Sequence, residues 1–468
     1  MEAVLRWAEH ISEAINQVVW GPAMLAFLLL VGLQFSLRTG FFQFRCARLW
    51  LKMTLGKLLG TRKKVKKARL VGKDAGREEK KAISPFQAMS TALAGAIGTG
   101  NIVGVATAIT LGGPGAIFWM WVAAVLGMMT VYAENLLGVK YRVRNAKGQW
   151  VGGPMYYIEN GLHCKWLAVV FAVACTLATF GIGNMTQANS IAAALQETFA
   201  LPPAVTGIVL AVLVGCIIFG GIGRIAKVTE KIVPFMALFY LVGGLVVIFA
   251  HVDRIPSAVQ SIFQQAFSLQ AAAGGVGGTV MQQAVKYGIA RGVFTNEAGL
   301  GSSPIVHAAA DAQEPAEQGM WGIFQVFLDT IVMCTVTALC LLTAGVWEPG
   351  KDGAAMSTAA FATVFGRMGA VFVAVSITLF AFATLISWSY YGERGLAYLA
   401  GEKPVAVYKA LYAIAAAFGC AMNLRLVWSI ADCFNGLMAI PNLVALLLLS
   451  GQVVAETKRY LRKKKDGQ

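Results

Sequence analysis

Thr99 and Asn101 stand among Gly95, Gly98, Gly100 and Gly104 in residues 94–105, AGAIGTGNIVGV, within a run apolar enough to be a membrane-spanning helix. Each interior glycine costs a helix about 1 kcal/mol against alanine. Hydrocarbon cannot satisfy the amides that an opened helix frees, so such a break persists only where protein encloses it around a cavity. A hydroxyl, a carboxamide and freed backbone groups in one short stretch suit reversible binding. Residues 291–304, RGVFTNEAGLGSSP, interrupt a second apolar run far downstream. Two broken spans in corresponding places of two halves point to the central site of a secondary transporter. The glycines also suit close helix packing, which stands as the alternative.

Other polar residues in apolar runs extend this candidate set. In FGIGNMTQANSIA, Gln187 is the group placed to face a cavity, or else to bond a neighbouring helix. Thr384 and Trp388 are spaced i and i+4, which puts a hydroxyl and a large ring on one helix face. Trp is common at membrane interfaces, but Trp388 lies several residues inside its run and therefore reads as cavity-lining. Asp329, in IFQVFLDTIVM, reads as the single carboxylate buried in an apolar run, a functional candidate whose bland alternative is a structural bond to a neighbouring span. Glu134 is expected at the interface, near the cytoplasmic end of its helix. Glu297 either orients the second break or pairs with Arg291. His10, His163, His251 and His307 have no metal spacing. P-loop, zinc-protease and nucleophile-elbow motifs are missing, and GTGNIVG follows no strand, so the Rossmann reading fails and the absence of a catalytic constellation opposes an enzyme.

The elements that must position these residues are membrane helices. With 57% hydrophobic and only 13% charged residues, the chain is a polytopic helical membrane protein. Spans are expected near 18–37, 85–111, 114–139, 166–195, 203–222, 228–250, 280–308, 317–346, 369–391, 406–421 and 427–450, about eleven in all. Cys175, Cys216, Cys334, Cys340, Cys420 and Cys433 lie in or beside these runs without paired spacing, as small core residues. No cleaved signal peptide is expected. The net charge of +16 reports topology: 31 Lys and Arg fall on one side of the membrane and five on the other. By the excess of positive charge inside, the amino terminus lies outside and the carboxyl terminus in the cytoplasm. The basic stretch 62–81 reads as a lipid-facing cytoplasmic linker and not as a nucleic-acid arm. Setting the first span aside leaves ten, whose first and sixth are broken: a five-plus-five inverted repeat. Residues 1–84 then hold the extra helix and basic linker, 85–250 the first repeat, 251–450 the second and 451–468 a basic tail.

The motifs GTGNIVGVATAITLGGPGAIFWMW, GGPMYYIENGL, FTNEAGLGSSPIVHAAA and ATLISWSYYGERG resemble the alanine or glycine:cation symporter family over nearly the whole chain. The resemblance implies a LeuT-like fold with one added amino-terminal helix. It also implies sodium-coupled import of a small amino acid, alanine or glycine, across the bacterial inner membrane by alternating access. A zwitterion needs partners of both signs, and opened helices supply them: amide N–H groups for the carboxylate, unwound carbonyls for the ammonium or a cation. Gly98, Thr99, Gly100 and Asn101 fit the first task. The resemblance places Gln187, Ile191, Phe294, Asn296, Thr384 and Trp388 beside the substrate. It implies two sodium sites, one of Asn101, Thr295 and Asp329, the other of the Ala94 and Ile97 carbonyls with Thr384. A carboxylate at Asp329, where the fold often has a neutral ligand, keeps a proton-coupled carrier as the alternative; a channel or membrane enzyme ranks lower.

Overall fold

The chain is described as a computed structural model over residues 2–56, 82–269, 280–347, 353–422 and 425–466. The basic linker expected at 62–81 lies outside these residues. Helices α1 (Glu2–Val19) and α2 (Pro22–Arg38) precede short helical turns that end at Gly56. The first half follows as α3 (Pro85–Ala96), α4 (Val103–Gly112), α5 (Ala116–Lys140), a hairpin of β1 (Val143–Arg144) and β2 (Trp150–Val151), α6 (Pro154–Leu162), α7 (Lys165–Phe180), α8 (Thr186–Phe199), α9 (Pro203–Ile218) and α10 (Gly221–Ala250). The second half comprises α11 (Ile255–Ala266), α12 (Val280–Asn296), α13 (Ser303–His307), α14 (Pro315–Val326), α15 (Thr335–Ala344), α16 (Gly353–Phe365), α17 (Arg367–Ala400), α18 (Val405–Ala421), α19 (Arg425–Leu448) and α20 (Ser450–Asp466).

Among the described residues, six helices are long and apolar enough to cross a membrane, and a seventh arises if α19 and α20, bent by 60°, count as one. Shorter apolar helices, among them α4, α9 and α18, fall in other runs expected as spans. Helix α5 is buried along most of its length and packs against α2, α12, α13 and α14. A second apolar cluster gathers Ala188, Leu210, Val214, Leu385, Tyr408 and Tyr412 from α8, α9, α17 and α18.

Both expected breaks are present, and each has local causes. Ser84 and Gln87 form a reciprocal cap that starts α3, with the Ser84 hydroxyl accepting from Gln87 N at 3.1 Å and Ser84 N donating to Gln87 Oε1 at 3.0 Å. The helix ends at Ala96, one 3₁₀ turn covers Thr99–Asn101, and α4 resumes at Val103. The second break is narrower than 291–304: α12 stays helical through Asn296, and the opened part is residues 297–302. Gly299 and Gly301 there have φ of 90° and 79°, a backbone that β-carbons disfavour.

Two interruptions go beyond the sequence expectation. The runs 166–195 and 317–346 each contain a π-helical segment, Gly181–Met185 between α7 and α8 and Phe327–Cys334 between α14 and α15. Hydropathy does not register them because one extra residue per turn leaves an apolar run apolar. Glu134 is also corrected: it is fully buried, because Asn442 of α19 and Gly301 N of the second break converge on its carboxylate at 2.6 and 3.1 Å. Lys409, which falls within the expected span 406–421, is buried against Glu393 at 2.9 Å.

Basic residues assigned to one side of the membrane are linked at one end of the bundle. Lys140 meets Glu456 at 3.2 Å, Lys463 meets Glu314 at 2.5 Å, and Lys147 and Arg394 share Glu402. Arg254 lies elsewhere, near the carbonyls that end α15. In a background without native cysteines, Lys147→Cys should resist an impermeant thiol reagent added outside intact cells while Asp253→Cys reacts. The reverse labelling pattern would invert the assigned orientation.

Candidate functional site

The first break is tied to the second half through its own freed groups. Asn101 is fully buried; its Oδ1 accepts from Gly98 N at 3.2 Å, and its Nδ2 donates to Asp329 Oδ1 at 2.7 Å and to Asp329 O at 3.2 Å. Thr337 Oγ1 donates to Asn101 O at 2.8 Å. Asp329 lies on the π-helical segment, whose widened turn aims the carboxylate at the break, and Thr330 Oγ1 donates to its other oxygen at 2.8 Å. Thr295 is joined to this group by the Cys334 thiol, which lies 3.3 Å from Asn101 Nδ2 and 4.0 Å from Thr295 Oγ1. Asn101, Thr295 and Asp329, distant in sequence, thus form one buried polar cluster.

On the other side of the same break, Thr384 Oγ1 donates to Ala94 O at 2.9 Å and lies 3.5 Å from Ile97 O. The oxygens expected to hold a second cation are therefore adjacent. The approach of α17 requires a glycine at position 98, since a β-carbon there would lie 2.8 Å from Thr384 Oγ1.

Between these clusters lies a cavity of about 20 Å³, lined by Gly98, Gly100, Gln187, Phe294, Thr384 and Trp388, together with Gly95, Ala96, Ile182, Glu297, Leu300 and Asn435. That volume holds about one water, so a bound amino acid requires the walls to separate. Phe294 also lines a second cavity of about 210 Å³ with Trp20, Arg291 and Asp432, and so forms the partition between the two. Gln187 is held between Thr99 Oγ1 at 3.4 Å and Ile182 O of the π turn at 3.1 Å. Trp388 is 2% exposed and its Nε1 donates to Glu297 Oε1 at 2.9 Å.

Other expected residues sit elsewhere. Ile191 is not among the residues lining the cavity; it packs in the apolar cluster of α8, α9, α17 and α18. Thr99 and Asn101 stand behind the lining, in the polar network. Asn296 caps the second break, with Oδ1 accepting from Ala298 N at 3.0 Å and Nδ2 donating to Thr330 at 3.2 Å. Asp329 is not the single carboxylate in the interior, since Glu134 and Glu297 are buried too. Glu297 bonds Ser302 and Trp388, whereas Arg291 lies over the Phe294 ring at 5.7 Å, so the pairing of Glu297 with Arg291 is not made. Hydropathy gave no signal for Asn435, on a helix otherwise read only as a span. The signal for Ile182 was the GIG sequence at the π turn.

The sodium:alanine symporter family model matches residues 5–468. The chain is 46% identical to the sodium/alanine symporter AgcS of Methanococcus maripaludis over 454 residues, covering 95% of this chain and 96% of that one. It is 46% identical to an uncharacterized transporter of Haemophilus influenzae, covering 98% and 97%, and 37% identical to the amino-acid carrier protein AlsT of Bacillus subtilis, covering 93% and 89%. A solved manganese transporter of Eremococcus coleocola is similar in fold, with a TM-score of 0.56 at 12% identity over 82% of this chain and 80% of that one. The shared architecture is LeuT-like.

Trp388 packs so closely on the π turn that a β-carbon at Gly183 would lie 2.4 Å from Trp388 Cβ. Gly183→Ala should therefore destabilise the protein by about 1–3 kcal/mol. A thermal midpoint equal to that of the wild type would show that the two helices separate there without cost.

Proposed function

Because this chain belongs to the sodium:alanine symporter family, we propose that it carries a small neutral amino acid, alanine or glycine, into the cell with sodium by alternating access. The observation that carries this reading is the meeting of both helix breaks at one small cavity flanked by two oxygen clusters. A zwitterion has no net charge, so the membrane potential acts on the sodium alone. Each inward sodium contributes about 2.3 kcal/mol per 100 mV, enough for roughly fiftyfold accumulation at one ion per substrate.

Substrate approaches from the 210 Å³ outer cavity, and Phe294 is the side chain that must swing aside to admit it. Amide N–H groups around Gly98 and Gly100, at the start of α4, receive the carboxylate. Trp388 limits side-chain volume. One sodium sits with Thr384 and the Ala94 and Ile97 carbonyls; the other sits with Asn101, Thr295 and Asp329, where a buried carboxylate offsets the ion's charge. Closing the outer path and opening the cytoplasmic one is the work of the two repeats, 85–250 and 251–450, moving against the break loops.

Uptake of labelled alanine into proteoliposomes, with a sodium, lithium or proton gradient imposed in turn, tests the reading. Sodium-driven accumulation is expected; accumulation with none of the gradients ends the carrier assignment, and accumulation on protons alone replaces sodium by a proton at Asp329. Thr384→Ala removes one neutral oxygen and should raise the sodium concentration for half-maximal uptake by roughly three- to tenfold. An unchanged sodium curve would remove Thr384 from the cation site. Trp388→Phe should relax selection against larger side chains, a discrimination of roughly 1–3 kcal/mol per added methylene; an unaltered substrate profile would place the ring outside the selecting wall.

A further inference from the structure

Glu297 and Asn435 are polar groups in the wall of the central cavity that have no task in the reading above. Glu297 follows α12 with φ of 57°, a left-handed backbone adopted by a residue that carries a β-carbon. Such outliers persist only where the surroundings enforce them, and they gather at functional sites. The outcome here is a carboxylate 3% exposed and turned into the cavity. Its partners are neutral: Trp388 Nε1 on one oxygen and the Ser302 hydroxyl on the other. No Lys, Arg or His forms an ion pair with it among the described residues. Each carboxylate oxygen accepts two hydrogen bonds, so both keep a free lone pair.

Asn435, on α19, lines the same cavity and is 1% exposed. Neither its Oδ1 nor its Nδ2 has a hydrogen-bond partner. Buried amides are nearly always satisfied, and an amide that is not satisfied by the protein faces what the cavity admits. The first half contributes neither residue: Glu297 comes from the second break and Asn435 from the last core helix.

We propose that Glu297 and Asn435 form the ammonium pole of the central site, with the Glu297 carboxylate as counter-charge and Asn435 Oδ1 as a second acceptor. This rests on the reading of the cavity as the substrate site. An α-ammonium group brings one positive charge and three N–H donors, which match a carboxylate with free lone pairs and an unpaired amide oxygen. A membrane-interior carboxylate without a cation is costly, and the substrate's own ammonium is the charge that relieves it. The substrate class follows: α-amino acids, with the corresponding hydroxy acids and simple carboxylic acids rejected because they bring no ammonium to offset the Glu297 charge. Trp388 then acts twice, closing the volume and fixing the carboxylate through Nε1–H.

The test is equilibrium binding of labelled alanine to purified protein in saturating sodium, with lactate and propionate as competitors and radioactive sodium binding measured in parallel. Glu297→Gln keeps the shape and its acceptor for Trp388 but loses the charge. It should weaken alanine binding by roughly ten- to a hundredfold and narrow the preference for alanine over lactate. Asn435→Ala breaks no hydrogen bond within the protein and should weaken alanine binding by roughly three- to tenfold. Sodium binding should survive in both. Wild-type alanine affinity in either variant overturns the proposal, as does a loss of alanine binding in Glu297→Gln that leaves the alanine-to-lactate preference unchanged. Should Glu297→Gln not fold, Asn435→Ala decides. Sodium-driven uptake by the wild type, measured on the same preparation, separates failure of this pole from failure of the symport reading.

Discussion

Backbone groups freed inside a membrane must find partners within the protein, and the organisation of this chain follows from that constraint. The first break is secured on one flank by Asn101 and Asp329 and on the other by Thr384 against Ala94 O. The second is secured by Asn296 on Ala298 N and by Glu134 on Gly301 N, with Ser302 bonded to Glu297. Asp329, Thr384 and Glu134 come from three different helical segments. Opening two helices therefore commits α5, α17, α19 and the π-helical segment after α14 to fixed positions around them.

That commitment brings the polar side chains of the break regions close to one small cavity. Small residues make the approach feasible, with Gly98 facing Thr384 and Gly183 facing Trp388. The π turns serve the same end by a different route. One extra residue in the turn rotates Asp329 toward Asn101, and Ile182 O in the other receives Gln187. A regular α-helix in either place would have carried these side chains past the site.

The same network explains how a neutral substrate and a cation can depend on each other. Asn101 and Thr384 belong to segments that line the substrate cavity, yet their oxygens and those they touch are the proposed ion ligands. In the proposed arrangement, an ion that draws these oxygens together fixes the backbone from which the amides proposed for the carboxylate project. Coupling then needs no long pathway, because the two proposed sites share one opened turn.

The sequence by itself determined the membrane class, the two breaks and the family. Apolar runs this long and this numerous exceed what a soluble core buries, glycine-rich interruptions within them are legible as broken helices, and the motifs around Asn101 and Asn296 are specific. It also singled out Asp329, Gln187, Thr384 and Trp388, since a polar group in an apolar run stands out wherever it is. Tertiary structure alone decided which of these meet. Gln187 and Ile191 share a helix face, but only the first reaches the cavity. Glu134, near a helix end by count, is interior because Asn442 and Gly301 fold over it. Asn435 is one amide in an ordinary span until α19 is placed against the second break, and Glu297 acquires its direction from a left-handed backbone that no hydropathy pattern encodes. Hydropathy records what each residue prefers as a solvent, whereas a binding site depends on which residues from distant helices face each other across one gap.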